Sequence, residues 1–461
     1  MRRNQIVLIQ SIFKVYPVKI HHPLGIKLLN FSTSRCTLID SLVHFFYLVL
    51  IMRILQIIPS ISLVYGGPSQ MVLGLSDALA AKNIDVTIIT TDSNGDIGQD
   101  PLDVPLNQPI KQNGYQIIYF RCSPFRRYKF SLSLLKWLNE NVEQFDLAHI
   151  HALFSPVTTL AATIARGHKL PYIIRPCGML DPADLQKKKF LKQIYAAFLE
   201  RPNLAGAAAI HFTSKQEAKI SERFGLGDTG KMPLPHNFGV QNSTGKMPVP
   251  QDLVIPLGVT AGLFPQRLLQ SKVPIILFMS RIEPKKGLDL LIPALESILA
   301  SGIEFQFILA GSNPQDADYE TGIKVKIQNS SLEKYTTMTG FVSGDRKNEL
   351  LTNADLFVLP SYYENFGIAV AEAMAAGVPV AISDRVYISD DIQQAEAGWV
   401  APLEVGAIAS MIKSALLDPQ ERQRRGLNGQ AYAKKYYDWE AIAQQTIDAY
   451  QHILSSMNEC D

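Results

Sequence analysis

From residue 52 onward, short apolar runs alternate with longer stretches whose apolar residues recur at helical spacing, and few folds accept that pattern. Strands buried on both faces read as continuous apolar runs, and parallel neighbours need a helix to carry the chain back between them. The alternation therefore predicts an α/β protein with doubly wound parallel sheets. Strand runs fall at 52–58, 84–90, 115–121, 145–151, 171–175, 207–213 and 252–256, with helices over 68–82, 131–142, 156–167 and 214–223. A second series has strand runs at 274–281, 305–311, 334–340, 354–360 and 378–383, with helices near 287–300, 344–352 and 367–376. The stretch 258–273 is neither periodic nor strongly apolar, so it reads as a linker between two Rossmann-like domains, 52–265 and 272–437. A last amphipathic helix, Trp439 to Met457, carries Ile442, Ile447, Tyr450 and Ile453 as its apolar stripe.

Residues 1–51 read differently, mixing basic and apolar residues without a period. Their most apolar run, Ser41 to Met52, has 12 residues between Asp40 and Arg53. A bilayer span needs about 20, and no small-residue cleavage pattern follows the run. Met52 opens the strand pattern MRILQIIP, so the expectation is that translation starts there and that 1–51 is a non-core extension. Lys and Arg total 44 against 42 Asp and Glu, a net charge of +2, which lacks the basic excess of a nucleic-acid binder. Four cysteines (Cys36, Cys122, Cys177, Cys460) form no CxxC pair and stand apart from any His at ligand spacing. Neither a disulfide framework nor a metal site is expected, and the compartment reads as reducing and cytoplasmic. A direct repeat, TGKMPLP at 229–235 and TGKMPVP at 244–250, reads as a surface-loop duplication.

Chemistry concentrates at the ends of the strand runs, where open α/β sheets bind ligands. Glu364-Asn-Phe-Gly-Ile-Ala-Val-Ala-Glu372 follows the run ADLFVLP, placing one carboxylate in the loop and the second inside the next helix. Gly367 lets a ligand approach the backbone, and the free N–H groups of the first helical turn make an anion site suited to a diphosphate and a polyol. Ser280-Arg281-Ile-Glu-Pro-Lys-Lys286-Gly287 closes another run in the same domain, and Arg281 with Lys286 can converge on one phosphate cluster. In the first domain, Tyr65-Gly66-Gly67-Pro68-Ser69 makes a glycine turn before a helix, either a tight βα turn or part of an anion cradle. It is not the G-x-G-x-x-G fingerprint, and no P-loop occurs, which disfavours NAD and ATP. His149-Ile-His151 puts two imidazoles on one face; a third ligand is lacking, so the reading is one structural histidine with His151 at the cleft. Arg175-Pro-Cys-Gly178-Met-Leu-Asp181 offers Gly178 and Asp181 to an acceptor, and the lysine run 187–189 offers charge to an anionic headgroup or simply to solvent. Asp316-Ala-Asp318 matches a D-x-D metal pattern but follows a polar stretch, and reads as surface loop.

These motifs together resemble the retaining GT-B glycosyltransferases of glycosyltransferase family 4, the glycosyl transferases group 1. The resemblance spans about 52–456 and also takes in IPLGV (255–259), TGFV (339–342) and AAGVPV (375–380). It implies two Rossmann-like domains facing across a cleft, a final helix (438–461) returning to the first domain, a nucleotide-sugar donor on the second domain and an acceptor on the first. By position it implies Arg281 and Lys286 on the diphosphate, Glu372 on the ribose, and Glu364 on the donor sugar. Phe366, Gly367 and Ile368 would offer backbone N–H groups, Gly67 would close from the opposite domain, Phe341 and Val342 would border the base, and His151 would lie near the reacting sugar. The family's I-P-N-G-V is here I-P-L-G-V, with Leu257 in place of Asn. The implied activity is metal-independent transfer of a hexosyl group, with retention, from a UDP- or GDP-sugar to a glycan or lipid-linked acceptor in surface-polysaccharide synthesis. No further cofactor and no nucleic acid are implied, and peripheral membrane association fits the basic and apolar first-domain face. The competing readings are a noncatalytic nucleotide-sugar-binding partner of an assembly complex and a GT-B-like sugar-nucleotide epimerase.

Overall fold

A computed structural model describes residues 52–95, 99–123, 129–186, 189–224, 250–261 and 273–458. The N-terminal extension, the 229–235 and 244–249 repeats, Cys36, Cys460 and the rest of the expected linker lie outside the described residues, as do Lys187 and Lys188.

Two sheets organise the chain. The first has strands β1 (Arg53–Ile57), β2 (Asp85–Thr91), β3 (Pro109–Gln112), β4 (Tyr115–Phe120), β5 (Leu147–His151), β6 (Tyr172–Arg175), β7 (Ala209–Phe212) and β8 (Gln251–Val254). Their order is β3-β4-β2-β1-β5-β6-β7-β8, and all pairings are parallel except the β3–β4 hairpin. The second has β9 (Ile275–Met279), β10 (Gln306–Ala310), β11 (Thr336–Gly340), β12 (Leu356–Leu359), β13 (Val380–Ser383) and β14 (Gly398–Ala401), in the parallel order β11-β10-β9-β12-β13-β14. Burial accounts for both: β1, β5, β6, β7, β12 and β13 are almost wholly inaccessible, as strands covered on two faces must be. Strand order reverses between β1 and β5 in one sheet and between β9 and β12 in the other, which fixes where a ligand crevice opens.

Two strands are missing from the sequence reading, the short β14 and β3, the latter an exposed edge strand of Pro, Ile, Lys and Gln that carries no apolar run. The partner of β3, β4, is legible because four of its six residues are buried, among them the adjacent Ile117 and Ile118. The final helix, Trp439–Asn458, packs Ile442, Ile447, Tyr450 and Ile453 into the core of the first sheet, so the chain does return to its first half. The crossing is pinned by two hydrogen bonds from backbone N–H groups: Val259 N–H donates to Tyr437 O at 2.7 Å, and Ala261 N–H to the Asp438 side chain at Oδ1, at 3.3 Å.

Trp439 is the key of this crossing. Its indole lies between Gly74, in the helix Gly67–Ala81, and Gly258: a Cβ would stand 2.3 Å from the ring at Gly74 and 2.1 Å at Gly258. Helix propensity alone favours Ala over Gly at an interior position by up to about 1 kcal/mol. Overpacking against the indole opposes that gain by about 1–3 kcal/mol. Gly74→Ala is therefore expected to lower the denaturation midpoint, and Trp439→Phe combined with it to recover part of the loss; a stabilised Gly74→Ala protein would show that the indole yields freely.

Candidate functional site

The reversal point of the second sheet is built by the loops that leave β9 and β12. Gly287 ends the turn Pro284–Lys286 with φ +73°, and a Cβ there would lie 2.0 Å from Pro360 O, so the two loops touch backbone to backbone. Tyr362 N–H closes the contact by donating to Lys285 O at 2.8 Å. This packing points the buried Lys286 ammonium at the Glu364 carboxylate, to which it donates. Lys285 lies 5.3 Å over the Tyr363 ring and 3.6 Å from Glu283, while Arg281 stays 42% exposed with Glu283 at 3.7 Å. Three cations around two carboxylates, 3 − 2, leave one net positive charge at the mouth of the crevice.

Burial alone would raise the Glu364 carboxyl, but Lys286, Lys285 and Arg281 outweigh it and hold it below the usual carboxylate range. Burial likewise opposes the Lys285 charge, and Glu364, Glu283 and Tyr363 overcome it, so its ammonium is held above its usual value. Both groups are thus charged at neutral pH. Beyond Glu364, Phe366 buries its ring edge-on against Tyr437 at 5.1 Å. That anchor sets Gly367 in the left-handed region at φ +77°, where it opens the helix Ile368–Ala375 without any side-chain cap. An uncapped helix start beside three cations is suited to an anion.

Glu372, inside this helix, accepts from Lys347 Nζ at 2.7 Å. It also lines a cavity of about 570 Å³ together with Gln70, Met71, Thr260, Ile368 and Trp439, between the two halves of the molecule. Phe341 is largely exposed, and Val342 packs against the core of the second sheet. The glycine turn of the first half meets the same helix: a Cβ on Gly67 would lie 3.1 Å from Ile368 Cδ1. The structure therefore gathers Arg281, Lys286, Glu364, Gly367, Ile368 and Gly67 at one place, with Glu372 lining the cavity beyond Ile368.

Gly178 and Asp181 come to the same region, but not as an open acceptor wall. Gly178 sits at φ +79° against Asn365, whose Nδ2 would be 1.5 Å from a Cβ. Asp181 is buried, its carboxylate accepting from the Tyr387 hydroxyl and, at 2.8 Å, from Ala183 N–H. Tyr363 Oη donates to Asp184 at 3.1 Å, and Thr213 Oγ1 to Asn365 O at 3.3 Å. These contacts clasp the two halves together next to Glu364. Asp316 takes the part expected of a surface residue, capping the helix Ala317–Gln328 by accepting from Tyr319 N–H at 3.2 Å.

His151 is a correction. It is fully buried, with no edge on the crevice, and belongs to a cluster under the returning helix. Its ring stacks on His149 with centroids 4.4 Å apart, and His211 lies 5.2 Å from His149. Hydrogen bonding orders the whole cluster. Ile255 O can only accept, so His211 Nε2 carries the proton it donates over 2.9 Å, and His211 Nδ1 accepts from His149 Nε2 at 3.2 Å. His149 Nδ1 then accepts from the Tyr450 hydroxyl at 2.8 Å, which itself accepts from Gln56 Nε2 at 3.2 Å. Gln56 Oε1 accepts from His151 Nε2 at 2.6 Å. That direction requires His149 and His211 to be neutral. The alternation that put both histidines on one sheet face could not say that a helix covers that face.

The residues of both halves match family models: Glycosyl transferase 4-like domain over 66–232 and Glycosyl transferases group 1 over 262–432. An uncharacterized glycosyltransferase of Methanocaldococcus jannaschii is 32% identical over 195 residues, 41% of this chain and 47% of that one. The phosphatidyl-myo-inositol mannosyltransferase of Mycobacterium leprae is 28% identical over 183 residues, 39% of this chain and 47% of that one. The chain thus spans about half the length of the curated relatives it matches. Among solved structures, sucrose-phosphate synthase from Thermosynechococcus elongatus superposes with a TM-score of 0.66 at 20% identity, over 88% of this chain and 100% of that one. Anabaena HepE in complex with UDP-glucose superposes with a TM-score of 0.63 at 18% identity, over 87% and 100%. The fold is GT-B, and both halves carry glycosyltransferase family domains.

The histidine cluster generates a pH prediction. Burial first holds His149, His151 and His211 well below the usual imidazole value; Arg175 adds to it at all three, His149 and His211 lower His151 further, and His149 lowers His211. The unfolded chain takes up protons near pH 6.5 that the folded one refuses, so stability falls as pH drops below about 6.5, by up to about 1.4 kcal/mol per pH unit for each histidine. Arg175, Cys177 and Tyr450 stay in one protonation state across this range. Glu217 and Glu200, whose carboxyls burial lifts, work in the opposite sense. His151→Gln should therefore narrow the difference in melting temperature between pH 7.5 and pH 5.5; an unchanged difference would remove the cluster as the source of acid sensitivity.

Proposed function

We propose that this chain is a retaining glycosyltransferase that moves a hexosyl group from a UDP- or GDP-sugar to a hydroxyl of a glycan or lipid-linked acceptor, in the synthesis of a surface polysaccharide. The observation that carries the reading is the cluster of Arg281, Lys285 and Lys286 around Glu364, at the reversal point of the second sheet and beside the uncapped helix at Gly367. A departing nucleoside diphosphate gains negative charge as its bond to the sugar breaks. Preorganised cations and helix amides aimed at that charge stabilise the transition state more than the ground state. Arg281, the most exposed of the three, is free to reach the diphosphate as a bidentate fork. This supply of positive charge is the basis for reading the transfer as metal-independent.

The family resemblance, carried onto this cluster, supports the following placement of the donor. The diphosphate lies against Arg281, Lys286 and the amides after Phe366, the ribose on Glu372 in the cavity, and the base toward Phe341 and Val342. The sugar falls between Glu364 and the clasp at Gly178 and Asp181. The UDP-glucose in the structurally similar HepE supports a nucleotide-sugar in this fold, and a mannosyltransferase among the relatives supports a hexose.

The step proceeds on one face of the sugar. The bond from the anomeric carbon to the phosphate oxygen breaks, its electron pair leaving with the nucleoside diphosphate. The acceptor oxygen bonds to the same face of the oxocarbenium-like centre, and its proton passes to the departing phosphate oxygen. Glu364 is a poor covalent nucleophile in this arrangement, because Oε2 accepts from Lys286 and three cations lower the basicity of the carboxylate. Its carboxylate serves instead to hold sugar hydroxyls.

The test is thermal unfolding of the full chain with UDP, GDP, ADP and NAD, followed by turnover with the matching nucleotide-sugars. Ligand at about 100 times its Kd should stabilise by roughly 2.7 kcal/mol. One nucleoside diphosphate is expected to give that shift. Arg281→Ala should lower kcat by about 10²-fold with a smaller change in Kd. A shift with NAD alone, or normal turnover of Arg281→Ala, would overturn the assignment.

Lys347 adds a second expectation on the same site. Its ammonium orients the Glu372 carboxylate, so Lys347→Ala should raise KM for the donor several-fold while leaving kcat nearly unchanged, and Lys347→Arg should restore most of the affinity. Equal losses in kcat and kcat/KM would place Lys347 in the chemical step instead.

A further inference from the structure

The buried carboxylate of Glu217 joins two loops of the first half. It lies in the first turn of the helix Lys215–Ile220, 2% exposed, and no cation pairs with it among the described residues. Ser214-Lys-Gln-Glu217 is a capping-box pattern, in which the acid returns to the N–H of the cap residue. Ser214 plays its part, its Oγ accepting from Glu217 N–H at 3.0 Å. The Glu217 carboxylate reaches past the cap instead. Oε2 accepts from Thr213 N–H and from the Thr213 hydroxyl, both at 2.7 Å, and Oε1 accepts from Gly178 N–H at 3.1 Å. Three donors to one buried anion make strong hydrogen bonds, and they replace the water it has lost.

The two loops follow the neighbouring strands β6 and β7, whose parallel pairing sets their ends side by side. The first loop holds a strained turn. Cys177 at φ +53° and Gly178 at φ +79° are consecutive left-handed residues, a conformation that persists only when its surroundings fix it. Both loops bear on the residue after Glu364. Gly178 lies against Asn365 Nδ2, and the single proton of the Thr213 hydroxyl is shared between Glu217 Oε2 and, at 3.3 Å, Asn365 O. A second route ends on Glu364 itself. Asp181 N–H donates to Gly178 O at 3.0 Å, the Asp181 carboxylate accepts from the Tyr387 hydroxyl, and Tyr387 N–H donates to Glu364 O at 2.9 Å. One carboxylate thus stands behind both routes.

We propose that Glu217 is a positioning residue: it braces the loops after β6 and β7 so that they press on Asn365 and Tyr387 and keep the Glu364 carboxylate fixed where the donor sugar sits. The brace stands on the contacts alone; its effect on turnover rests on the transfer reading.

The experiment compares Glu217→Gln with the wild type by hydrogen exchange resolved to single amides and by turnover with the matching nucleotide-sugar. Gln keeps the shape, removes the charge and turns an NH2 group toward one of the donors. The reporters are the Glu364 and Tyr387 N–H groups, which donate to Arg385 O and Glu364 O, and the control is Ser280 N–H, which donates to Ala310 O. Both reporters should exchange at least about tenfold faster in the variant, with the control unchanged. The kcat should fall by about 10-fold to 100-fold with a smaller change in KM, because Arg281 and Glu372 lie outside the brace. Faster exchange at Gly178 and Thr213 alone overturns the proposal, as does a lowered melting temperature with kcat and KM unchanged. If Glu217→Gln does not fold, Thr213→Val, which removes only the hydroxyl arm, should move the same two reporters several-fold in the same direction; unmoved reporters are then the adverse result. A wild type without turnover on any nucleotide-sugar, together with faster exchange at Glu364 and Tyr387 in the variant, keeps the brace and removes the transfer reading.

Discussion

The pairing of Lys286 with Glu364 is the contact on which the site's geometry depends. A carboxylate and an ammonium withdrawn from water are costly apart, and removing one partner leaves the other stranded. The pair forms only because the loops after β9 and β12 meet at backbone distance, and they meet only because Gly287 has no side chain to strike Pro360. Parallel pairing of β9 with β12 brings the two strand ends side by side in the first place. Sheet order, glycine and ion pair are therefore one constraint viewed at three scales. The lowered acidity of Glu364 is its electrostatic result, and a fixed anionic oxygen facing a sugar is its chemical one.

A second constraint makes the two sheets one body. The returning helix enters through Trp439, held between Gly74 and Gly258, and ends its grip at Tyr450, where a phenol hydroxyl completes the chain of neutral imidazoles under β5 and β7. The buried histidines thus belong to assembly, and the acid sensitivity they confer follows from it. The cavity lined by Glu372 is bounded by the same Trp439, so the shape of the space between the halves depends on how the indole is seated.

Legibility in the sequence followed burial and locality. Strands covered on both faces were readable as apolar runs, and the two loops of the second sheet were readable because each carries its functional groups within one short stretch. The exposed β3 and the short β14 escaped because neither has an apolar run long enough to stand out. The polar helix Pro419–Tyr436 escaped because Gly426 and Gly429 look like breakers; Gly426 is there because a Cβ would lie 2.2 Å from Gly377 O. Partners distant in sequence were invisible for a different reason. Nothing at His149 announces Tyr450, nothing at Glu372 announces Lys347, and nothing at Asp181 announces Tyr387. Such pairings exist only once topology has folded the chain back.

The segment from Gly178 to Glu200 joins these threads. Gly178 and Asp181 grip Asn365 and Tyr387 across the crevice, Asp184 holds Tyr363, and the helix that follows turns two phenylalanines outward. The buried Asp181 carboxylate already accepts from Tyr387 on one oxygen and from Ala183 N–H on the other, so an acceptor entering beside it competes with that hydroxyl. A bulky acceptor and a closed clasp therefore compete for the same few ångströms next to Glu364. Whatever moves the outward helix is coupled, through Lys192 and Asp184, to the strength of that clasp.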